Sequence, residues 1–381
     1  MSCYKKFGYV LGMFVSSLIF CLRIISSNKS TEILSHDHCK KMPNVSFIGY
    51  NSVLSEIKEK MNIANKSIYI TMESVNVTTF RRDLMSTLVS ARDRGVSVYP
   101  IFYSSQDIIS MFSSYGFTNY SVGTGTSQIL SIDAIIIDEI VFIIPGFFSS
   151  NSTALLFQRT LITDCQPAQK DVIGFINLYL YQQKMGTPVS VYPRELIAKS
   201  SAVRPTIIDD SSSMFFFHSP DSIQRPLRIS SGRVSEEVFT RTPKRLRVYV
   251  ETLPKLSLNK KSGTNPSSIY LQLRGLLFSN QTEIDFLVSH VACLKSKQTC
   301  AALLSMPKVQ LRMYHSGMSG PTFIIADNAV LSYSSFKAFP EVRTYLSLHS
   351  YYHSQDVSNY FSDFFDSVWN SSYRMDVKWA F

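Results

Sequence analysis

The sequence is poor in charge, in cysteine and in long apolar runs. Only 17% of its 381 residues are Asp, Glu, Lys or Arg, against about 25% in a typical soluble domain. Six cysteines are too few for a disulfide-dense scaffold in a chain of this length. Beyond residue 25 no run approaches the roughly 20 apolar residues that a membrane span needs. A cysteine-knot scaffold and a multi-span membrane protein are therefore excluded.

The remaining composition is that of a folded protein. Apolar residues make up 45% of the chain and aromatic residues 13%, which excludes collagen-like and wholly disordered chains. At roughly 150 residues per domain, the length predicts two domains or one large one. The formal net charge of +10 favours anionic partners such as nucleic acid or phospholipid.

Residues 1–27 have the layout of a signal peptide or a short signal anchor. Lys5 and Lys6 precede the uncharged stretch Phe7–Leu22, and Arg23 follows it. We therefore expect a protein of the secretory pathway. It is either secreted or a single-pass type II membrane protein with a lumenal or extracellular body, and it contacts the membrane only through this segment. Removal of these three basic residues lowers the net charge from +10 to +7.

N-glycosylation sequons are unusually dense. Eight of the 15 asparagines lie in Asn-x-Ser/Thr, while Asn265 is excluded by Pro266. Glycans on these sites would offset the low surface charge. The predicted glycosylation sites are Asn28, Asn44, Asn65, Asn76, Asn119, Asn151, Asn280 and Asn370.

Four cysteines remain outside the leader. An even number in an oxidising compartment predicts two disulfides, and the favoured pairing is Cys39–Cys165 with Cys293–Cys300, although the other two pairings stay open. The run His36–Cys39 lacks a second ligand pair at a fixed spacing, so we predict neither a metal site nor a cofactor.

Comparison of the chain with itself indicates an internal duplication. Three pairs of segments recur in the same order, 180 to 189 residues apart. They are Ile68–Glu73 with Val248–Glu251, the helix Arg81–Arg94 and strand Val96–Ile101 with the helix Ser268–Phe278 and strand Ile284–Val288, and Ile135–Phe142 with Ile324–Leu331.

Apolar runs between helices predict an α/β fold of two tandem halves, each a mixed sheet flanked by helices, packed as one bilobal unit. The first half spans 28–200 and the second 201–381, with the junction within about 198–244. Ligands in such folds bind at the carboxyl ends of the strands.

The order of these segments from Cys39 to Arg374 resembles the phospholipase D superfamily. The closest likeness is to its lumenal, membrane-anchored 5′-exonucleases and their poxvirus relatives. The resemblance depends on Lys66–Ile70, Ala91–Val98, the two strands that end in Asp138 and Asp327, the run Leu161–Cys165 with the helix Asp171–Gln183, and the helix Val357–Trp369. It implies a phospholipase-D-type fold in both halves.

The family's chemistry, as the resemblance implies it, uses His-x-Lys-x4-Asp once per half. One histidine attacks phosphorus, the other protonates the leaving group, and the lysines neutralise phosphate charge. Counting back from Asp138 places Ser131 and Asp133 at the histidine and lysine positions, and counting back from Asp327 places Gly320 and Thr322 there. Only the aspartates and one downstream glutamate, Glu341, are retained.

These substitutions predict a catalytically inactive pseudo-phosphodiesterase that acts by binding or regulation. Asp133 places a carboxylate where a phosphate-binding cation belongs. The partners implied are single-stranded nucleic acid or phospholipid in the family cleft, and a homodimer or a heterodimer with an active relative. The alternative is a divergent 5′-exonuclease or phospholipase that recruits His315 or a partner subunit.

Overall fold

The computed structural model describes residues 39, 41–103, 105–123, 129–149, 156–182, 206–209, 212–219, 243–251, 253, 281–315, 322–333 and 345–374. Residues His38–Phe381 form one compact unit. The leader, the division at residue 200 and the helix predicted at Ser268–Phe278 lie outside the described residues. So do Asn28, Asn151, Asn280, Gly320 and Glu341.

The first half alternates strands and helices, as predicted. Its elements are β1 (Asn44–Gly49), α1 (Tyr50–Ile63), β2 (Ser67–Met72), α2 (Val77–Phe80), a π-helical turn (Arg81–Met85), α3 (Ser86–Asp93), β3 (Ser97–Tyr103), α4 (Gln106–Ser114), β4 (Ser121–Gly123), β5 (Ile129–Ser131), β6 (Ala134–Ile137), β7 (Ile140–Ile143), β8 (Leu156–Ile162) and α5 (Gln166–Gln182).

The predicted helix Arg81–Arg94 is confirmed, but it begins earlier. The side chain of Asn76 accepts a hydrogen bond from the Thr79 N–H at 3.0 Å and so caps α2. Helix α3 is followed by Gly95, whose φ of 91° suits glycine and reverses the chain into β3. The amphipathic pattern predicted this helix, but the helical segment starts after its capping residue Asn76 and not at Arg81.

The second half has a matching set of elements. They are β9 (Thr206–Asp209), β10 (Ser212–Ser219), β11 (Arg245–Val250), β12 (Glu283–Ser289), α6 (His290–Lys295), α7 (Lys297–Leu304), β13 (Val309–Tyr314), β14 (Phe323–Ala326), β15 (Ala329–Tyr333), β16 (Tyr345–His353), α8 (Gln355–Ser371) and β17 (Tyr373–Arg374).

The two mixed sheets repeat one topology. The first has the strand order β4-β3-β2-β6-β7-β8-β1, and the second contains β13-β12-β11-β14-β15-β16-β10 in the same relation. In each sheet the central strand has a parallel neighbour on one side and an antiparallel neighbour on the other. The predicted duplication and fold class are confirmed.

The register of the duplication differs from the one we predicted. The sequence match aligned Tyr69 with Tyr249, but in the structure Thr71 pairs with Ala134 and Tyr249 with Phe323. When the sheets are aligned on the turns at Asp138 and Asp327, Thr71 therefore corresponds to Tyr249. The shared tyrosine was a chance identity, because strand register is set by backbone pairing and not by one side chain.

The core has three layers. The middle layer lies between the sheets and contains Ile136 and Ala134 from the first sheet and Ile325 and Phe323 from the second. Helices α5 and α8 also contribute to it. One outer layer packs α1, α3 and α4 on the first sheet, and the other packs α6 and α7 on the second. The halves therefore share a continuous apolar interior.

Both favoured disulfides are present. Cys39–Cys165 joins the segment before β1 to the segment between β8 and α5, and Cys293–Cys300 joins α6 to α7. All four cysteines are buried. Within the described ranges, no helix is both long and apolar enough to cross a membrane.

Candidate functional site

The retained aspartate of the first half has a structural role. Asp138 has a φ of 53° in the tight turn between β6 and β7, a conformation that Asp tolerates better than most residues. Its carboxylate accepts backbone N–H bonds at 3.0, 2.9 and 2.9 Å from Asn65, Lys66 and Ser67. Burial acts to raise the pKa of Asp138, but these three donors lower it below its usual value. The side chain therefore fastens the start of β2.

The second retained aspartate occupies the same turn. Asp327 has a φ of 51° between β14 and β15, and its carbonyl accepts a hydrogen bond at 2.7 Å from Ser358 of α8. In both halves the aspartate thus forms the hairpin turn. Chain geometry explains the retention of these residues without any catalytic role.

The first histidine position lies at the join between the sheets. Ser131 is completely buried at the end of β5. Although β5 belongs by sequence to the first half, it pairs in parallel with β16 of the second half, with Ser131 opposite Ser347. A substrate phosphorus would need an exposed nucleophile here, and the chain instead places a buried serine in a strand ladder.

The first lysine position is occupied by a carboxyl group bound to backbone. Asp133 is 3% exposed, and its Oδ1 accepts the Glu73 N–H at 2.9 Å. Burial raises the pKa of Asp133 well above its usual range, the charge of Glu73 raises it further, and N–H bonds from Glu73 and Gly146 partly oppose this. The group therefore ties the end of β2 to the 144–146 turn. The sequence predicted a carboxylate where a phosphate-binding cation belongs, and in the structure this carboxyl group is buried.

The second lysine position is also buried. Thr322 precedes β14 and is 0% exposed. Its Oγ1 has no hydrogen-bond partner in the described part of the chain. Its neighbour Phe323 belongs to the middle core layer, as does Ile132 between Ser131 and Asp133.

His315 lies away from Thr322. It follows β13, and three strand spacings separate β13 from β14 in the order β13-β12-β11-β14, which is about 14 Å at the usual spacing between strands. Its exposed ring lies 6.2 Å from the ring of His290 and 5.6 Å from that of Tyr373. The structure therefore does not bring His315 to the substituted positions.

Polar contacts join the halves beside these positions. Gln158 of β8 accepts a hydrogen bond from Ser332 of β15 at 2.7 Å, and the hydroxyls of Thr160 and Tyr352 lie 3.3 Å apart. All four residues are almost fully buried. Direct polar contacts therefore join β8 to the second sheet.

Two glutamates at this edge were not predicted. Counting from the turn aspartates places Glu73 and Glu251 at equivalent positions, each one residue beyond its central strand. Burial raises the pKa of Glu251 to about 7. The signal was available in the sequence, but aligning the halves on their shared tyrosine moved the match by two residues. No described group of His, Cys, Asp and Glu could hold a metal ion.

Most of the predicted glycosylation sites in the described part of the chain are exposed. Asn44, Asn65, Asn119 and Asn370 are exposed, whereas Asn76 is half-buried. Two arginines of β11 are paired with acidic residues, because Arg245 binds Asp285 at 2.6 Å and Arg247 lies 3.3 Å from Asp366. These two arginines are thus engaged within the fold.

Comparison with solved structures finds this fold in two bacterial enzymes. Phosphatidylserine synthase from Haemophilus influenzae Rd KW20 has a TM-score of 0.64 at 11% identity, over 88% of this chain and 90% of the synthase. Polyphosphate kinase from Porphyromonas gingivalis has a TM-score of 0.54 at 12% identity, over 85% of this chain but 46% of the kinase. This chain therefore spans less than half of the kinase's length.

Sequence comparisons give no further relative. No family model matches the chain, and no curated protein matches it. At the identities above, the structural likeness shows the fold alone. The chain therefore shares its two-half α/β fold with phosphatidylserine synthase and polyphosphate kinase.

Proposed function

We propose that this protein is a phospholipase-D-type protein of the secretory pathway that has lost phosphodiesterase chemistry and acts by binding or regulation. One observation supports this most strongly. Every described residue at a reactive position, namely Ser131, Asp133 and Thr322, is buried and chemically unsuited to the family's reaction.

The described reactive positions lack both the positive charge and the nucleophile that the family's reaction requires. Phosphodiester cleavage of this kind needs a nucleophilic imidazole and cations that stabilise the phosphorane. The described positions offer two buried hydroxyls and a carboxyl group bonded to the N–H groups of Glu73 and Gly146. None of these groups neutralises phosphate charge.

The secretory location is supported by covalent features. Disulfides persist in oxidising compartments, and the fold contains two of them. Four of the five described sequon asparagines are exposed, as glycan acceptors must be. We propose a glycosylated, lumenal or extracellular protein.

The partners that we propose for this protein are those that the resemblance to the phospholipase D superfamily implies. Single-stranded nucleic acid or phospholipid would bind at the carboxyl edge of the strands. A homodimer, or a heterodimer with an active relative, would give the inactive chain a regulatory role.

The alternative is a divergent phosphodiesterase that uses His315 or a partner subunit. The observation that favours it is the exposed ring of His315, which lies 6.2 Å from the ring of the half-buried His290. It would require His315 to act about three strand spacings from Thr322, without a neighbouring lysine.

A turnover assay separates the two. The purified full chain is incubated with a single-stranded oligonucleotide and, separately, with phosphatidylcholine vesicles. We expect no turnover, and we expect His315→Ala to behave as its neighbour control His290→Ala does. Turnover that is lost in His315→Ala but kept in His290→Ala would contradict the proposal.

A further inference from the structure

Each of the two sheets has two outermost strands. In the described part of the fold, β1 and β4 lie at the edges of the first sheet, and β17 and β9 lie at the edges of the second. An edge strand presents a row of backbone N–H and C=O groups to which a strand of a second copy can add. Soluble proteins protect such edges with charge, proline, a bulge or a covering element. We therefore compared the protection of the four edges.

Edge strand β1 contains neither a charged residue nor a proline. Its sequence, Asn-Val-Ser-Phe-Ile-Gly, is rich in residues that favour strands, and uncharged segments of this kind associate readily. Helix α8 covers the middle of β1, because the Phe47 N–H donates to the Tyr360 hydroxyl at 2.7 Å. Asn44, an exposed sequon residue, lies at the start of the strand.

Exposed sequons also lie beside β4 and β17. Asn119 is two residues before β4, and Asn370 is three residues before β17. Even a fully extended chain places each asparagine within roughly 11 Å of the strand that follows it. Like β1, β4 has no charged residue and no proline, whereas β17 contains Arg374. Three of the four edges therefore have an exposed sequon at or next to the edge strand.

The fourth edge has a different kind of protection. The sequence within three residues of β9 contains no asparagine, but Pro205 directly precedes the strand, Asp209 ends it and Asp210 follows. Proline and charge are the usual means of preventing a further strand from pairing. The edge without a sequon is thus the one that has both of these other features.

We propose that N-glycans on Asn44, Asn119 and Asn370 cover three sheet edges and prevent a second copy of this chain from pairing with them. A glycan is bulky and solubilising, so it blocks strand addition beside its attachment point. The structure accommodates a glycan on Asn44, because its Oδ1 accepts a hydrogen bond from Arg159 at 3.0 Å and the sugar is joined to Nδ2. The low charge of the chain, 17% of residues, makes this protection necessary.

Asn65 provides the matched comparison. It is exposed and lies two residues before β2, which is the same spacing as that of Asn119 before β4. Strand β2, however, lies inside the first sheet between β3 and β6. A glycan on Asn65 increases solubility without covering an edge. Comparison of the two sites therefore separates edge protection from solubility in general.

The inference rests on the glycosylated, secretory character proposed above, so glycan occupancy is measured first. The full chain is expressed in a eukaryotic secretory system, and peptide mass spectrometry determines the occupancy of each sequon. Ser46→Ala removes the sequon of Asn44 but keeps the bond between Asn44 and Arg159. Because Ser46 Oγ has no hydrogen-bond partner in the described part of the chain, this change should cost little stability. The other sequons are removed by Asn119→Gln, Asn370→Gln and the control Asn65→Gln.

Light scattering at increasing protein concentration then measures the associated fraction. Enzymatic removal of the glycans from the folded parent chain separates association from misfolding of a variant. We expect Ser46→Ala and Asn119→Gln each to raise the associated fraction by about threefold or more, and Asn370→Gln by about twofold, because Arg374 still protects β17. The control Asn65→Gln should change it by less than about 1.5-fold. Hydrogen exchange should show new protection of β1 or β4 in the associated species.

Equal association of the Asn65→Gln control and the edge variants would overturn the inference. So would an unchanged associated fraction after the edge glycans are removed from the folded parent chain. Unoccupied sequons on the secreted chain would contradict the glycosylated state in the proposed function as well. Occupied sequons without an effect on association contradict this inference alone, so the two failures are distinguishable.

Discussion

The two halves share one topology but differ in how they satisfy the polar groups beside their central strands. In the first half, Asp133 and Asp138 bind backbone N–H groups and so fasten strand ends together. In the second half, Glu251 and Thr322 each bury an oxygen without a described partner. Hydrogen bonds therefore hold the strand ends of the first half together, whereas these two buried oxygens of the second half add no described hydrogen bond.

The largest expected contrast concerns the disulfides. Cys39 and Cys165 are 126 residues apart, whereas Cys293 and Cys300 are 7 apart. Loop-closure entropy then predicts that Cys39→Ser with Cys165→Ser lowers the free energy of unfolding by about 5 kcal/mol. The same change at Cys293 and Cys300 costs about 2 kcal/mol. Urea unfolding under non-reducing conditions measures both, and equal losses would contradict this account.

Lysine at the family's two lysine positions should lower the free energy of unfolding by different amounts in the two halves. Asp133→Lys would bury an ammonium against N–H donors and should cost about 4 kcal/mol or more. Thr322→Lys removes a hydroxyl that has no hydrogen-bond partner among the described residues, so we expect a cost smaller by about 2 kcal/mol. Asp133→Asn, which keeps an acceptor, is the control and should stay within about 1 kcal/mol. Urea unfolding measures the free energy of unfolding of all three variants. Equal losses for the two lysine variants would contradict the predicted difference between the halves.

Glu251 should make stability depend on pH. Burial raises its pKa from an ordinary 4.5 to about 7, so the protonated form is favoured in the folded chain. Its contribution to stability is therefore complete below pH 4.5 and is lost as the pH rises through about 7. At pH 8, Glu251→Gln should be more stable than the parent by up to about 3 kcal/mol, at roughly 1.4 kcal/mol per pKa unit.

Thermal and urea unfolding from pH 4 to pH 8 measure this effect. The exposed Glu283→Gln on β12 is the matched surface control and should change stability by less than about 0.5 kcal/mol. A Glu251→Gln variant that is less stable than the parent at pH 8 would show that the carboxylate has a stabilising partner.

The smallest difference in stability loss is expected between alanine variants of the two turn aspartates. Asp138→Ala removes the acceptor of three backbone N–H bonds and should cost about 2 to 3 kcal/mol. Asp327→Ala removes only a residue that tolerates positive φ and should cost about 1 kcal/mol. Asparagine at either position keeps the turn and serves as the control. Equal losses in urea unfolding would mean that Asp327 has a role beyond the turn.

Much of the fold was predictable because it depends on local pattern. Alternating apolar runs and turn residues predicted β2 and β3, the family resemblance implied α8, and an even number of cysteines led to a favoured pairing that is present. The alignment of β2 with β11 was wrong by two residues, because backbone pairing sets the register and side-chain identity does not.

The site was less predictable than the fold. Counting from Asp138 located Asp133, but no sequence pattern indicates that backbone N–H groups would enclose its carboxyl group. The importance of Glu251 depends on burial and on missing partners. Both are properties of the tertiary structure.

The proposed loss of phosphodiesterase chemistry depends on the described reactive positions, Ser131, Asp133 and Thr322, none of which is a histidine. The family's reaction passes through a phosphohistidine, which rapid mixing with a labelled phosphodiester, followed by peptide mass spectrometry at neutral to alkaline pH, detects directly. The account predicts that no histidine of this chain becomes labelled. Phosphate label on the peptide that contains His315, or on any other histidine, would contradict it.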